Sequence, residues 1–320
     1  MTRLNMVQAV NLALKEEMQR NADIIVLGED VGMDGGVFRA TEGLLSQFGP
    51  ERVIDTPLSE SGIVGTAIGM AVYGLRPVVE IQFMGFIYPA IDQIFSHAAR
   101  IRSRSRGRYS CSLVIRTPYG AGIRSPELHS ESTESLFCHM PGIKVVVPSS
   151  PYNAKGLLIS SMRDPDPVIF LEPSRLYRLI KEDVPEGEYS IPLGRAKVVQ
   201  EGKEVTVIAW GSMLHRTLQS LSGLDVEVID LMTLNPFDEE IIYKSVKKTG
   251  RVVIVHEAPK TGGFGAELSA SIAENAILYL KAPIMRVAAH DVVIPLPRLE
   301  EHYMPTVERI RNAIQEIMKY

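Results

Sequence analysis

Short runs of almost continuous apolar residues alternate with segments of helical periodicity in the first half of this sequence. A strand that is apolar on both faces must be covered on both faces, as in a parallel sheet between two layers of helices. The runs predict strands at 24–28 (IIVLG), 78–83 (VVEIQF), 112–116 (SLVIR), 143–147 (IKVVV) and 167–172 (PVIFLE). The periodic segments predict helices from Met6 to Met18, over 61–74, at about 89–102 and over 152–163. This alternation indicates the α/β class.

The alternation stops at residues 173–195 and then starts again. This stretch contains three prolines, several charges and little periodicity, and it predicts a linker on the surface. Strands are expected afterwards at 205–210, 226–230 and 251–257, with helices at about 214–222, 238–249, 265–277 and 305–319. The sequence therefore predicts two domains, residues 1–185 and 186–320, each a mostly parallel sheet flanked by helices.

Composition argues against several classes of function. The formal net charge of −4 gives no general reason to expect nucleic acid or an anionic membrane as a partner. No apolar run reaches the ~18 residues of a membrane span, and the first residues lack the pattern of an export signal. Cys111 and Cys138 are too few for a disulfide framework and fit a reducing compartment, so we expect a cytoplasmic location. The arginines of RIRSRSRGR (100–108) allow a nucleic-acid site, but a solvated or inter-subunit surface suits an acidic chain better.

The segment DTPLSESGIVGTAIGMA (55–71) places an acid before a helix with very few side chains. Gly62, Gly65 and Gly69 are three and four residues apart, so they share one helix face. Each glycine costs about 1 kcal/mol relative to alanine inside a helix. The face therefore indicates close approach, either by another part of this chain or by a ligand or second chain. Taken alone, Glu60 is more often an acid that stabilises the helix dipole than a catalyst.

Four segments carry a resemblance that extends from end to end. They are DTPLSESGIVGTAIGMAVYGLRPVVEIQF, RTPYGAGIRSPELHSES, MPGIKVVVPSSPYNAKGLLISSMRDPDPVIFLEP and TGRVVIVHEAPKTGGFGAE, in this order. With them the chain resembles the β subunit of the E1 component of 2-oxo acid dehydrogenase complexes, a family that includes pyruvate and branched-chain enzymes. The resemblance implies a transketolase-like pyrimidine-binding domain followed by a transketolase C-terminal domain.

The resemblance also implies a cofactor and a partner. It implies thiamine diphosphate with Mg²⁺, bound in an α2β2 heterotetramer whose E1 α subunit holds most of the diphosphate and the metal. Relatives that bind the whole cofactor on one chain carry a GDG segment, which this sequence lacks, since GED (28–30) does not match it. We therefore expect this chain to form half of a cofactor site.

Two residues match the family's catalytic positions. Glu60 stands where the family has the glutamate that bonds to the aminopyrimidine ring of the cofactor. His129, in SPELHSES, matches the active-site histidine, and its implied role is to orient or protonate substrate-derived groups and to assist acyl transfer. Without the resemblance, the favoured interpretation of His129 is a hydrogen-bonded loop histidine.

Further positions are expected near the cofactor. Gln82 and Phe86, in EIQFMGF, match residues that contact the aminopyrimidine, and Leu58 is expected to contribute backbone there. Ordinary packing at a strand end is the alternative. Glu29 follows a strand end, where ligand sites of α/β proteins lie. The resemblance places Glu29 in an acidic set between two active sites, and a solvated loop acid is the alternative.

Two more regions carry predictions of binding. Asp164 and Asp166, in RDPDPV, match a region where some relatives bind a structural K⁺ ion with loop oxygens, although Asp and Pro also suit a plain turn. Asp291 and the C-terminal Tyr320 are the positions at which we expect the lipoylated E2 acyltransferase to dock, by the same resemblance.

The predicted function is oxidative decarboxylation of a 2-oxo acid with acyl transfer to the lipoyl group of E2. LEPSRLYR (171–178) and HEAPKTGGF (256–264) favour a branched-chain substrate over pyruvate. A subunit of a split transketolase-like enzyme, with a sugar phosphate as acceptor, is one alternative. A non-catalytic scaffold subunit of the complex is the other, although the presence of both Glu60 and His129 argues against it.

Overall fold

The computed structural model describes all residues from Met1 to Tyr320. The strands are β1 (Thr2–Asn5), β2 (Ile24–Gly28), β3 (Val53–Asp55), β4 (Arg76–Glu80), β5 (Val114–Tyr119), β6 (Lys144–Val146), β7 (Val168–Pro173), β8 (Lys181–Val184), β9 (Lys197–Gln200), β10 (Val205–Ala209), β11 (Val226–Asp230), β12 (Thr233–Asn235), β13 (Val252–Pro259) and β14 (Met285–Ala289).

The α-helices alternate with these strands. They are α1 (Met6–Arg20), α2 (Leu44–Phe48), α3 (Glu60–Tyr73), α4 (Ile101–Arg104), α5 (Glu134–Cys138), α6 (Pro151–Arg163), α7 (Ser212–Ser220), α8 (Glu239–Thr249), α9 (Phe264–Ala276), α10 (Glu300–Tyr303) and α11 (Val307–Ile317). Segments of 3₁₀ helix lie at Met84–Ala90, Ala98–Arg100, Glu127–His129, Ser174–Leu176 and Ile277–Tyr279, and a π-helical turn lies at Gln93–His97. None of the helices combines the length and the apolar character needed to cross a membrane.

Polar side chains cap several of the longer helices. Asn5, Ser150, Asp238 and Thr306 each precede a helix and accept a hydrogen bond from a backbone N–H of its first turn. These bonds satisfy donors that the helix itself leaves without partners. At α6 the cap is followed by Pro151, whose fixed φ suits the first helical position. The starts of these helices are therefore determined by local sequence.

The first domain is built on a seven-stranded sheet. Its strand order is β12-β6-β7-β5-β4-β2-β3, and every pair is parallel except β12 with β6. The parallel strands end at the same edge, and the loops that follow β2, β3, β4 and β5 meet there. Strand β12 comes from the second half of the chain and extends this sheet across the domain boundary.

The second domain has a five-stranded sheet in the order β14-β13-β10-β11-β9. Only β9 runs antiparallel to its neighbour. The prediction of two mostly parallel sheets flanked by helices is confirmed. One apolar cluster contains residues of both sheets, among them Ile115, Phe137, Trp210 and Ile254, so the two domains share a continuous core.

The predicted helix at about 89–102 does not form as one piece. The chain instead passes through 3₁₀, α and π turns between Met84 and Arg104. Pro89 lies inside the first of these segments and offers no N–H to an α-helical ladder. Two predicted strands are also displaced: the second begins earlier, at Arg76, and the third runs later, to Tyr119.

The predicted linker at 173–195 is more ordered than expected. Strand β8 lies within it and pairs antiparallel with β1. Beyond β8, the N–H of Ile191 donates to the carbonyl of Gly156 at 3.1 Å, and the ring of Tyr189 stacks on Tyr152 at 4.6 Å. The segment therefore packs on α6 of the first domain, and the boundary between residues 185 and 186 stays a prediction.

Candidate active site

Glu60 is the first residue of α3, which follows β3 after a loop of four residues. The residue is 9% exposed, and it lies at the helix end where an acid is favoured by the dipole. The N–H of Thr56 donates to the carbonyl of Gly28 at 3.0 Å, which ties the start of this loop to the end of β2. The sheet edge thus fixes the place of Glu60.

Glu29 follows β2 directly and lies close to Glu60. Burial raises the pKa of the Glu29 carboxyl above its ordinary value, and repulsion from Glu60 and Asp30 raises it further. Glu29 is 8% exposed. The structure therefore places at one sheet edge two acids that the sequence separates by 31 positions.

Gln82 belongs to the same edge, just beyond the end of β4. Its amide nitrogen donates to the carboxylate of Asp30 at 3.0 Å. Asp30 adopts a φ of 57°, which turns the chain sharply after Glu29. The residues predicted at positions 29 and 82 are thus connected through Asp30, a contact that the sequence did not suggest.

His129 lies among aromatic rings. The centroid of its ring is 4.2 Å from that of Phe83 and 5.0 Å from that of Phe86. Its Nδ1 is buried and has no hydrogen-bond partner within the chain. Phe83 also contacts Phe38, from the loop that carries Glu29, with centroids 5.6 Å apart. Phe83 was missed in the sequence, where only Phe86 was singled out.

A cluster of buried charges underlies this edge and was also missed. Arg116 of β5 donates from Nε and a terminal nitrogen to both carboxylate oxygens of Glu172 on β7, at 2.7 and 3.0 Å. Its other terminal nitrogen binds Glu80 at the end of β4. Tyr177 donates to Glu172 at 2.6 Å, and its ring contacts Phe38 at 4.9 Å. The sequence does contain an indication of this cluster: three of the apolar runs each include a single charged residue (VVE, VIR and FLE).

Leu58 and the Gly69 end of the glycine face of α3 are not covered by this chain. Leu58 is 79% exposed. A Cβ added at Gly69 would meet no atom within 4 Å. At Gly65 it would meet only the side chain of Gln93, at an ordinary contact distance of 3.4 Å. Close packing within the chain, one of the two explanations for this face, is therefore wrong for Gly69.

The acids predicted to bind K⁺ already have cationic partners. Asp164 accepts from Lys144 Nζ at 2.5 Å, and Asp166 accepts from Arg102 Nε at 2.6 Å. The chain contains no group of three or more His, Cys, Asp or Glu side chains arranged to hold a metal ion. The K⁺ site thus has no support from this geometry and stays a prediction.

The two positions predicted for E2 docking lie on the surface of the second domain. Asp291 accepts from the N–H and the hydroxyl of Thr261 at 2.8 and 2.7 Å, and these bonds lower the pKa of its carboxyl. Tyr320 is 65% exposed at the C-terminus. Their docking role stays a prediction.

Comparison with known proteins agrees with this architecture. Residues 2–180 match the family model of the transketolase pyrimidine binding domain, and residues 194–310 match that of the transketolase C-terminal domain. A solved split-gene transketolase, an inactive β4 tetramer, superposes with a TM-score of 0.82 over 99% of both chains. Its sequence identity is 23%, so this likeness concerns the fold alone.

Relatives with much higher identity cover the whole chain. The pyruvate dehydrogenase E1 component subunit β of Staphylococcus epidermidis is 50% identical over 100% of both chains. The subunits of the same name from Bacillus subtilis and Acholeplasma laidlawii are 47% and 48% identical, over 100% and 99% of this chain and 100% and 98% of theirs. The chain therefore belongs to the E1 β-subunit family of 2-oxo acid dehydrogenases, whose two transketolase-type domains it contains.

Proposed function

We propose that this chain is the β subunit of a thiamine diphosphate-dependent pyruvate dehydrogenase E1. The observation that carries the proposal is the placement of Glu60, nearly buried at the start of α3, at the carboxyl edge of the first sheet, where Glu29 and Gln82 also lie. The names of the relatives, at 47–50% identity, support pyruvate as the substrate. They give no support to the branched-chain preference expected from LEPSRLYR and HEAPKTGGF, and pyruvate replaces it here.

The residues present fit one half of a thiamine diphosphate site. The cofactor, when bound, supplies the electron sink for decarboxylation. Glu60 presents a nearly buried carboxyl at a helix start, at the sheet edge that also carries Glu29. A carboxyl group there can share a proton with the aminopyrimidine nitrogen. Gln82 and Phe86 border the same edge, and Leu58 offers backbone next to Glu60.

His129 is proposed as the group that moves protons on the substrate side. Its ring is restrained by Phe83 and Phe86, while its buried Nδ1 remains without a partner. An imidazole with a free nitrogen can donate or accept a proton near neutral pH. We assign to His129 the orientation of substrate and assistance in acyl transfer to the lipoyl group of E2.

The open glycine face supports a second chain as the rest of the site. We propose that an E1 α subunit covers the face around Gly69 in an α2β2 heterotetramer, and that α holds the diphosphate and Mg²⁺. Docking of lipoylated E2 at Asp291 and Tyr320 belongs to the same proposal. So does a cytoplasmic location, supported by two free cysteines. A K⁺ ion near Asp164 would have to displace the lysine now bound there.

The test is dye reduction driven by 2-oxo acids, with thiamine diphosphate and Mg²⁺ present. The chain is measured alone and after coexpression with an E1 α chain from the same source, with pyruvate and branched 2-oxo acids compared. Glu60→Gln should abolish most activity of the pair, because an amide cannot hold the same proton. Glu239→Gln is the matched control, since Glu239 is also the first residue of a helix but is exposed on the second domain.

Each outcome has a definite meaning. Activity only in the pair, with pyruvate preferred, supports the proposal. Activity of this chain alone would contradict the shared site, and preference for branched acids would restore the first substrate prediction. Full activity of the Glu60→Gln pair would indicate a scaffold, and turnover only with a sugar phosphate acceptor would indicate a transketolase-like enzyme.

A further inference from the structure

The loop that carries His129 is closed at its base. It comprises residues 120–131, which we call the His129 loop, and it follows β5. The N–H of Gly120 donates to the carbonyl of Glu131 at 2.9 Å. Gly120 has a φ of 85°, a left-handed conformation that suits glycine. Contacts along the loop then decide where His129 lies.

The second domain holds the start of this loop through Glu257. Glu257 lies on β13 and is buried. One carboxylate oxygen accepts from the N–H of Ala121 at 2.6 Å, and the other accepts from the hydroxyl of Ser212 at 2.5 Å. A Cβ at Gly120 would lie 2.7 Å from the first oxygen, so the backbone could not approach so closely with another residue there. Glu257 is therefore tied to one loop amide and to its own domain.

A second carboxylate of the same domain holds the middle of the loop. Glu300, at the start of α10, is buried and accepts from the N–H of Arg124 at 3.2 Å. The adjacent Glu301 forms ion pairs with Arg175 at 2.7 Å and with Arg216 at 2.6 Å. The two arginines come from different domains, so α10 is bound to both domains through Glu301.

The far end of the loop rests on the first domain. A Cβ at Gly85 would lie 2.5 Å from the carbonyl oxygen of Leu128, so only glycine permits this approach. Immediately afterwards the ring of His129 packs on Phe83 and Phe86. The position of His129 therefore depends on contacts with both domains.

We propose that Glu257 and Glu300 are positioning residues, through which the C-terminal domain holds the His129 loop in its working conformation. The inference rests on the proposed function, because it assumes that His129 acts on the substrate. Neither carboxylate is bonded to His129, so both act through the backbone of the loop. The proposal also gives a role to the HEAPKTGGF segment, in which Glu257 stands.

The test compares Glu257→Gln, His129→Ala and the double variant, each in the assembled α–β pair. Glutamine keeps the size of the side chain but turns an NH₂ group toward one of the two donors, so one hydrogen bond is lost. We expect Glu257→Gln to lower kcat with pyruvate about tenfold, with little change in KM, because a displaced loop misplaces His129. The double variant should have the kcat of His129→Ala alone, since residues that act as a unit are not additive.

Hydrogen exchange of the peptide that covers residues 119–131 gives a readout that does not need turnover. Exchange in this peptide should accelerate about tenfold in Glu257→Gln and in Glu300→Gln, because the anchored amides open more often. Asp230→Asn is the matched control. Asp230 is also buried between the domains, but it accepts from Ser149 at 2.7 Å and Asn153 at 3.1 Å, outside the loop. Its replacement should leave loop exchange and kcat unchanged.

Two results would overturn the proposal: unchanged loop exchange in both glutamine variants, or a double variant whose loss is the product of the single losses. Should Glu257→Gln fail to fold, Glu300→Gln combined with His129→Ala serves in its place. An inactive wild-type pair, or a fully active His129→Ala, would refute the proposed function instead. Loop exchange then still decides whether the two carboxylates anchor the loop.

Discussion

Glu134 is a carboxyl enclosed between the two domains, and its ionisation should be visible in the stability of the protein. It is fully buried; one oxygen accepts from the indole N–H of Trp210 at 3.3 Å, and the other has no partner. Trp210 stacks on His256, with centroids 5.4 Å apart. Burial raises the pKa of Glu134 from 4.5 to about 7, and repulsion from Glu257 contributes to the increase. The phenol of Tyr119 is a further buried neighbour of this charge.

The direction of the effect follows from the two pKa values. Below pH 4.5 the carboxyl is protonated in both the folded and the unfolded chain. The folded chain then has the full stability that goes with an uncharged Glu134. As pH rises through about 7, the folded chain must also release the proton, and this part of its stability is lost. The ionised carboxyl then costs the folded state about 3 kcal/mol relative to low pH.

Glu134→Gln removes this titration while nearly keeping shape. The free energy of unfolding of the variant minus that of the wild type should increase by about 3 kcal/mol from pH 4.5 to pH 8. Urea unfolding of both proteins at several pH values measures this difference. Other titrations cancel in it, among them those of Asp230, whose pKa burial raises to about 7, and of His256, whose pKa burial lowers to about 4. Glu127→Gln, at an exposed acid in the 3₁₀ segment Glu127–His129, is the control for the substitution itself and should lack this increase.

A constant difference for Glu134→Gln as well would refute the reasoning. It would mean that the carboxyl ionises in the folded chain as readily as in water, and that the space between the domains is hydrated. A difference that decreases with pH would mean that a cation stabilises the charge, and the cation would have to come from outside the contacts described above.

Three further predictions concern the charge cluster, the glycine face and the aromatic contact. Arg116→Met should lower the free energy of unfolding by about 3–5 kcal/mol, since it leaves two carboxylates buried and unpaired. In urea unfolding, Arg102→Met, at a partly exposed ion pair, should lower the free energy of unfolding by at most about 1 kcal/mol. Equal losses in Arg116→Met and Arg102→Met would contradict the expected difference between buried and exposed ion pairs. Gly69→Ala should stabilise the isolated chain by up to about 1 kcal/mol in thermal unfolding and yet weaken association with E1 α in sedimentation; unchanged association would place the interface elsewhere. Phe83→Leu should lower kcat of the pair about tenfold by releasing His129, and an unchanged kcat would show that the ring needs no support.

The fold class and part of the site could be predicted from local patterns. Apolar runs alternating with helical periodicity require covered parallel strands, so two α/β domains follow without knowledge of any contact. Parallel strands also share a carboxyl edge. Glu29 is expected at a strand end, whereas the strand before Glu60, β3, is not predicted, so their shared edge follows only from the pairing of β2 with β3.

The remaining features depend on strand order and on the packing of the two domains. Glu80, Arg116 and Glu172 each look like a lone charge at the end of an apolar run, and they become a buried cluster only because β4, β5 and β7 are neighbours. Strand β12 has three residues and joins a sheet whose other members lie far earlier in the chain. The hydrogen bond from Ala121 to Glu257 spans 136 positions, and no local pattern encodes it.

No contact within this chain explains the glycine at position 69 of α3, whereas contact with a second chain would explain it. Gly69 is an interior helix position with no atom of the chain near the place of a missing Cβ. Glycine at this position lowers helix stability by about 1 kcal/mol relative to alanine. The backbone there does not have the positive φ that would require glycine. A contact that forms only after assembly would make the bare backbone useful, since it lets a second chain approach α3 closely. The same helix that begins with the candidate catalytic acid would then define how closely a partner can approach the cofactor site.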